Sequence, residues 1–547
     1  MAFLDVVRGL RALRVWLPGR RRRWAVGKID VGDARRIADA ERRAGAVPDG
    51  CAWLDERTID DVDLPLVFRA IDRTVTPTGA QALWRWLAAP AVRLDVLGAR
   101  ERALAQLAAR PALRDRIRDA LAGLTASDAP HLPRLLWEAA AAPRRTGVYA
   151  VRSAALVVLG ALAAWWPLLA VGCVALFVAN IVADDWASLS LASHGHALGV
   201  LGQALAAAER VLALGVWPAA GAARDAAGAI AGAGIAADLA TFAGFRRQLW
   251  WLTVSDPFGL ADLLRAGLLV RLLWLGRWMR MVDRERDRLR RIILWLGEVD
   301  ALVSIASLRA ERADTRAPVL SASGRRIAGR DLVHPAIAGA IGNDVALDAG
   351  LLITGSNMSG KSTFLRTLAV NAICAQSIHT TFGAWWASLV RVFTVMRVAD
   401  ATAEGMSTYA VEVAATGRLV AAVRRADDEL PALLVLDEPF RGTNPALRVP
   451  IAVSVLDYLG QRDLVVAATH DLDVAAQVDA RFARGYFCES DDERGDFDRK
   501  LRPGVAPASN ALALLARAGY PPAIVADAER RARANAAAPL QLRPATA

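Results

Sequence analysis

Residues 355–362 read Gly-Ser-Asn-Met-Ser-Gly-Lys-Ser, a full match to G-x-x-x-x-G-K-[ST]. The match sits between Leu351-Leu352-Ile353-Thr354, an apolar strand-like run, and Thr363-Phe364-Leu365-Arg366, which opens a helical pattern. A strand, a glycine-bearing loop and a helix in that order form a phosphate cradle. The glycines Gly355 and Gly360 let backbone N–H groups come close to phosphate oxygens, and the helix start adds its positive dipole end. Lys361 is the point charge for the β- and γ-phosphates, and the Ser362 hydroxyl completes an Mg²⁺ shell. Ser356, Asn357, Met358, Ser359 and Thr363 fill the rest of the nucleotide loop. This feature commits the C-terminal part of the chain to a parallel sheet with crossover helices.

Two further apolar runs support that sheet. Residues 432–436 end in Asp437-Glu438, and residues 464–468 end in Thr469-His470. An aspartate at the tip of a strand beside the phosphate loop holds Mg²⁺, together with Ser362. The adjoining Glu438 is placed to polarise an attacking water. His470, one strand further on, is in reach of the γ-phosphate. The plain alternative for a lone histidine is a surface or core residue. Together these residues describe an Mg²⁺-dependent ATPase of the ABC type, with Glu438 and His470 as catalytic candidates, Ser362 and Asp437 as metal ligands, and ATP and Mg²⁺ as the implied ligands.

At 547 residues the chain has room for about three or four structural units. The net charge is +11, which suits an acidic partner, either nucleic acid or an anionic surface. All the basic residues but Lys28, Lys361 and Lys500 are arginine. So uniform a preference reads as codon bias and weakens the charge argument. It also makes Lys361 conspicuous. Cys51, Cys173, Cys374 and Cys488 form no C-x-x-C pair, which argues against a disulfide scaffold or a cysteine zinc site.

Residues 1–45 form a basic arm, with Arg8, Arg11 and Arg14 beside an apolar stripe and a run from Arg20 to Arg23. The arm reads as a solvated segment, or as an anchor to a membrane surface or nucleic acid. Residues 46–146 read as amphipathic helices. Residues 153–183 then carry no charge, whereas one membrane-spanning helix needs about 20 apolar residues. Trp165-Trp166-Pro167 interrupts this run near its middle. Since the nucleotide site must face ATP, residues 147–185 are expected to form a transmembrane hairpin with both ends cytoplasmic, which places the protein at the cytoplasmic face of the plasma membrane. A buried helix pair in a cytoplasmic protein is the alternative. Residues 260–282 read as one amphipathic helix continued by the charged stretch 283–291 and by 292–306, giving a long lever. The remaining boundaries follow: helical core and lever over 186–317, ATPase domain over 318–500, and a C-terminal segment and tail over 501–547.

The motifs resemble those of the MutS family of DNA mismatch-repair ATPases. Residues 354–363 are similar to that family's TGPNMGGKST, with serines at 356 and 359. Residues 437–444 (DEPFRGTN) resemble DEIGRGTS, and Ala468-Thr469-His470 matches its ATH. Asp400, residues 405–409 and Glu412 resemble a loop that, by the family's pattern, carries Ser407 across a dimer to the partner's γ-phosphate. His334-Pro335 and Asn343-Asp344 resemble the entry to the family's ATPase domain. Leu54-Asp55, Thr58, residues 72–79 (DRTVTPTG) and Gly297-Glu298 resemble parts of its helical core. Gly504, Ser509 and residues 518–521 are similar to its C-terminal dimerisation segment.

The resemblance implies an α/β ABC-type P-loop ATPase domain on a mainly α-helical core and lever. It implies a homodimer with composite ATP sites, DNA as a partner, and no small-molecule substrate besides ATP. No Phe-x-Glu wedge stands ahead of the core, so the expectation is a related engine without the mismatch-reading domain. A membrane-anchored, ATP-switched scaffold and a transporter-type ATPase are the alternatives. The absence of an LSGGQ-like stretch before Asp437 weighs against the transporter.

Overall fold

The computed structural model describes residues 29–138, 146–215, 232–253, 260–356, 359–396, 408–424, 430–488, 498–505 and 519–537. The arm at 1–28, Asn357, Met358 and Ser407, and the segment around Ser509, lie outside the described residues.

The N-terminal half is helical. Helices α1 (Val31–Arg43) and α2 (Glu56–Asp61) each start on an aspartate cap: Asp30 accepts from Gly32 N–H and Asp55 from Thr58 N–H, at 3.1 and 2.7 Å. These caps satisfy backbone donors that the first turn leaves open. After α3 (Leu64–Ile71), helix α4 (Pro77–Ala88) starts with Thr76 as its cap and Pro77 at its first position, where the missing N–H costs nothing. Helices α5 (Leu94–Ala109), α6 (Pro111–Leu121) and α7 (His131–Leu136) complete the first layer. All but one residue of α4 are buried, so it is the core helix of this unit.

Next comes a helical hairpin, α8 (Thr146–Ala163) and the 45-residue α9 (Leu169–Ala213), turning at Trp165-Trp166-Pro167. The membrane reading of 147–185 is overturned, and with it the placement at the plasma membrane. Among the described residues no helix is long and apolar enough to cross a membrane. The turn divides the uncharged run into residues 153–163 of α8 and 169–183 of α9, each short of the roughly 20 a span requires. The hairpin is also tied down by polar contacts. Arg152 donates to Asn180 Oδ1 and Ala179 O at 3.0 and 2.9 Å, and Asp184 pairs with Arg271 at 2.6 Å.

Helices α10 (Gly232–Thr241) and α11 (Ala243–Thr253) follow. The expected single lever over 260–306 is instead three helices: α12 (Leu260–Gly267), α13 (Val270–Arg284) and α14 (Arg286–Glu311). The first break has a cause in the hairpin. Asn180 Nδ2 and Ser153 Oγ donate to the carbonyls of Gly267 and Leu268, both at 2.8 Å, and Leu269 turns left-handed at φ 50°. Side chains distant in sequence thus cap the end of α12.

Helix α14 packs against α4 at close range. A Cβ on Gly297 would lie 2.4 Å from Thr78 O, and one on Gly79 would lie 2.2 Å from Asp300 Oδ2, so both positions exclude any side chain. Asp300 is fully buried at this crossing. Its Oδ2 accepts from Thr76 Oγ1 at 2.6 Å, Thr76 N–H at 2.8 Å and Val75 N–H at 3.1 Å. Burial nevertheless pushes its pKa up to about 7.

The C-terminal half carries the sheets, with strands β1 (Thr315–Arg316), β2 (Val319–Ser321), β3 (Ile327–Leu332), β4 (Asn343–Leu347) and β5 (Gly350–Thr354), and helix α15 (Lys361–Ser377). Then come β6 (Thr381–Phe382), β7 (Ala384–Ser388), β8 (Arg391–Val395), α16 (Thr408–Arg424), β9 (Ala432–Asp437), α17 (Pro445–Leu459), β10 (Leu464–Thr469), α18 (Leu472–Gln477), β11 (Phe482–Tyr486), β12 (Arg502–Pro503) and α19 (Pro522–Ala537). The main sheet has the order β12-β11-β5-β10-β9-β8, parallel except for β12. A four-stranded sheet, β2-β7-β3-β4, lies beside it.

Alternation along the central strands divides the core. Leu351, Ile353, Leu433, Val435, Val466 and Ala468 pack on the α15 side, in one apolar cluster with the helical unit. Leu352, Leu434, Leu436, Val465 and Ala467 face α16, α17 and α18. Both faces of a parallel sheet are covered by crossover helices, which is why these strands are apolar throughout.

Candidate functional site

Pairing in register brings three strand ends level. Thr354 lies opposite Thr469, Ile353 opposite Ala468, and Ala468 opposite Asp437. The loops after β5, β9 and β10 therefore open on one edge, where an open α/β sheet receives its ligand.

The loop after β5 is shaped by two glycines. Gly355 has φ 148° and a Cβ there would meet Phe487 O at 2.7 Å, while Gly360 caps α15 at φ 111°. A side chain would be strained at the second and blocked at the first. Lys361 is buried, with its Nζ donating to Gly355 O at 2.8 Å and Ser356 O at 2.7 Å. Burial lowers its pKa, and the charges of Glu438 and Asp437 oppose the shift. Ser359 Oγ is buried without a hydrogen-bond partner among the described residues. Thr363, a turn into α15, lines a cleft described below.

Asp437, at the tip of β9, accepts a hydrogen bond from the Ser362 side chain. Its pKa is raised by burial, against which Ser362, Lys361 and Arg366 act. Its Oδ1 is buried with no hydrogen-bond partner among the described residues. Such an orphaned carboxylate oxygen beside a serine hydroxyl fits an Mg²⁺ ion. Among the described residues no group of three His, Cys, Asp or Glu could hold a metal. A hard cation here would take Asp437 and Ser362 from the protein, and phosphate and water oxygens for the rest.

Glu438 stands in a left-handed conformation, φ 49°, with its N–H bonded to Ala468 O at 2.8 Å. Phe440 repeats that conformation at φ 62°. Strain of this kind in non-glycine residues is held only where the surroundings over-determine it. Glu438 Oε1 lies 3.1 Å from His470 Nδ1, and Arg441 is 3.4 Å from its Oε2. Gly442 N–H donates to Glu412 Oε2 at 3.0 Å, which ties α16 to the loop after β9.

The structure thus brings together Gly355, Ser356, Ser359, Gly360, Lys361, Ser362, Thr363, Asp437, Glu438 and His470. A cleft next to Gly360 and Thr363 is lined by Leu332, His334, Ile341, Asn343, Phe364, Phe487 and Arg499. Burial, then the charge of Arg366, pushes the His334 pKa down to about 4, so the ring is neutral at pH 7. Phe487 and Arg499 carry no sequence signal of a site. They reach it because β11 is the neighbour of β5 and Asn343 Nδ2 bonds Arg499 O at 3.0 Å.

Residues 351–535 match the family described as MutS domain V. The chain is 31% identical over 282 residues to the DNA mismatch repair protein MutS of Chloroflexus aurantiacus, covering 45% of this chain and 28% of that protein. It is 33% identical over 261 residues to the DNA mismatch repair protein MutS 2 of Halobacterium salinarum, covering 45% and 29%. With the DNA mismatch repair protein MutS of Myxococcus xanthus the figures are 34% over 248 residues, 42% and 27%. The chain thus spans less than a third of the length of these relatives. The matched segment holds the phosphate loop and the tips of β9 and β10, and this part of the chain is similar to MutS domain V.

Proposed function

We propose that this chain binds and hydrolyses Mg²⁺–ATP as a MutS-like protein related to DNA mismatch repair, working as a dimer on DNA. The observation that carries the nucleotide reading is the convergence of Lys361, Ser362 and the orphaned oxygen of Asp437 at one sheet edge. On phosphate binding, Lys361 exchanges two loop carbonyls for phosphate oxygens. The cleft between His334, Phe364 and Phe487 takes the base. Glu438 accepts a proton from the attacking water, and His470 holds the carboxylate in place. A bound Mg²⁺ supplies positive charge for the developing phosphate charge. Thr363 and the amides of residues 355–360 orient the phosphates.

The dimer and Ser407, offered by the partner copy to the γ-phosphate, belong to this proposal, as does DNA binding through backbone phosphates. The test is DNA binding by the purified protein with and without ATP, on matched, mismatched and branched duplexes across a salt series. ATP-modulated binding that weakens steeply with salt is expected. Intact ATP turnover with no DNA binding at any salt would leave an ATP-switched scaffold and overturn the DNA part.

A further inference from the structure

Asp61, the last residue of α2, belongs to the helical unit by sequence but directs hydrogen bonds to the main sheet, besides pairing with Arg57 of its own helix at 3.9 Å. Its side chain is buried. Oδ2 accepts from Thr394 Oγ1 and from Met396 N–H, both at 2.9 Å. One turn earlier, Thr58 Oγ1 accepts from Thr394 N–H at 3.2 Å. Three hydrogen bonds from one short helix therefore hold the end of the edge strand β8. Val395 lies opposite Leu436 in the β8–β9 pairing, so Met396 is level with Asp437.

Two further contacts converge on the same place. The carbonyl of Asp61 accepts from Arg366 Nε at 3.0 Å. Arg366 stands five residues after Lys361 on α15, and its charge acts on Asp437. At the other end of α2, Asp55 pairs with Arg418 of α16, and Arg418 Nη2 donates to Thr394 O at 2.6 Å. Helix α2 thus touches the strand beside Asp437, the helix after Lys361, and the helix that carries Glu412. A buried carboxylate is an expensive way to fill space, and an apolar residue of similar volume packs as well or better. Its use here suits a contact that must hold one defined geometry.

We propose that Asp61 is a positioning residue for the nucleotide site, setting the spacing of β8, α15 and Asp437, and that through it α2 couples the helical unit to the nucleotide state. This rests on the nucleotide reading above, and the experiment separates the two. Hydrogen exchange of the full chain is followed by mass spectrometry, with and without Mg²⁺ and a non-hydrolysable ATP analogue, alongside steady-state ATP turnover. In the unsubstituted protein the analogue is expected to protect the phosphate loop and, together with it, residues 56–61 and 394–396. Asp61→Ala should keep the phosphate-loop protection and lose the response at 56–61. Its kcat should fall about tenfold, within the range of a typical coupling, with KM for ATP nearly unchanged.

Asp61→Asn presents one oxygen to both donors and should restore the response and the turnover, which loss of mere bulk would not separate. Where Asp61→Ala does not fold, Thr394→Val removes one of the bonds and should weaken the response at 56–61. Protection at the phosphate loop with no change at 56–61 in the unsubstituted protein overturns the coupling and leaves the nucleotide reading standing. No protection at the phosphate loop overturns the nucleotide reading, and this inference with it.

Discussion

His470 Nδ1 lies 3.1 Å from Glu438 Oε1, across the tips of the neighbouring strands β10 and β9. The pair joins a carboxylate able to take a proton to a ring able to orient it. Glu438→Ala should retain ATP and lower turnover by about 10²-fold or more, the usual contribution of general base catalysis. His470→Ala should lower it less, because the carboxylate remains. Filter binding and a phosphate-release assay separate retention from turnover. Unaltered turnover in Glu438→Ala would remove Glu438 from its role.

Lys361 donates to the carbonyls of Gly355 and Ser356. These bonds hold the ammonium in the loop while it waits for phosphate. Hydrogen bonds from a charged donor contribute about 1.5–3 kcal/mol each. Lys361→Ala should therefore weaken binding of a fluorescent ATP analogue by at least about tenfold, without lowering the thermal midpoint of the unliganded protein by more than a few degrees. Equal affinity in the variant would show that the loop holds no phosphate.

Burial raises the Asp437 pKa from its ordinary value, although Ser362, Lys361 and Arg366 pull against it. Only the ionised carboxylate holds a cation well. The Mg²⁺ concentration for half-maximal turnover should rise as pH falls toward that raised pKa. Asp437→Asn should abolish this pH dependence along with most of the activity. A half-saturating Mg²⁺ level that stays flat in acid would count against Asp437 as a ligand.

Asp300 has a pKa of about 7 in the folded protein against 3.8 as its ordinary value. Between those values the folded state holds more protons than the unfolded state, so stability falls as pH rises. The slope is up to about 1.4 kcal/mol per pH unit over that window, and it levels off above it. Urea unfolding at pH 5 and at pH 8 should show this decline. Asp300→Asn, which has no charge to bury, should remove it. A stability difference between the two proteins that stays constant with pH would show that Asp300 titrates normally.

The nucleotide site was legible because its parts are local. A phosphate loop needs its glycines, lysine and serine within a few residues, and Asp437-Glu438 and Thr469-His470 stand at the ends of runs whose apolar character marks buried strands. The strands at 350–354, 432–437 and 464–469 lie where those runs are. Their placement side by side, with β5 and β9 flanking β10, is a property of the sheet that no local pattern states.

The errors had a physical source as well. The uncharged run at 153–183 turns at Trp165-Trp166-Pro167, as its interruption there predicts, but the two arms this leaves are too short to cross a membrane. Arg152, Asn180 and Asp184 then find partners in each other's helix or in α13. The helical period runs on through 260–306 and predicts one continuous lever. It breaks near Leu269 because Asn180 and Ser153, from a hairpin 87 and 115 positions earlier, hold the carbonyls there.

The sequence by itself determined which residues can handle phosphate and which runs must be buried, since both follow from side-chain chemistry and short-range spacing. Only the tertiary structure decided that Asp61 would hold β8 beside Asp437, that Phe487 and Arg499 would close the cleft near Gly360, and that Asp300 would be enclosed between α4 and α14. Those relations join residues tens to hundreds of positions apart. They exist only after the sheet and the helices have packed, because packing alone chooses which distant groups share a buried volume.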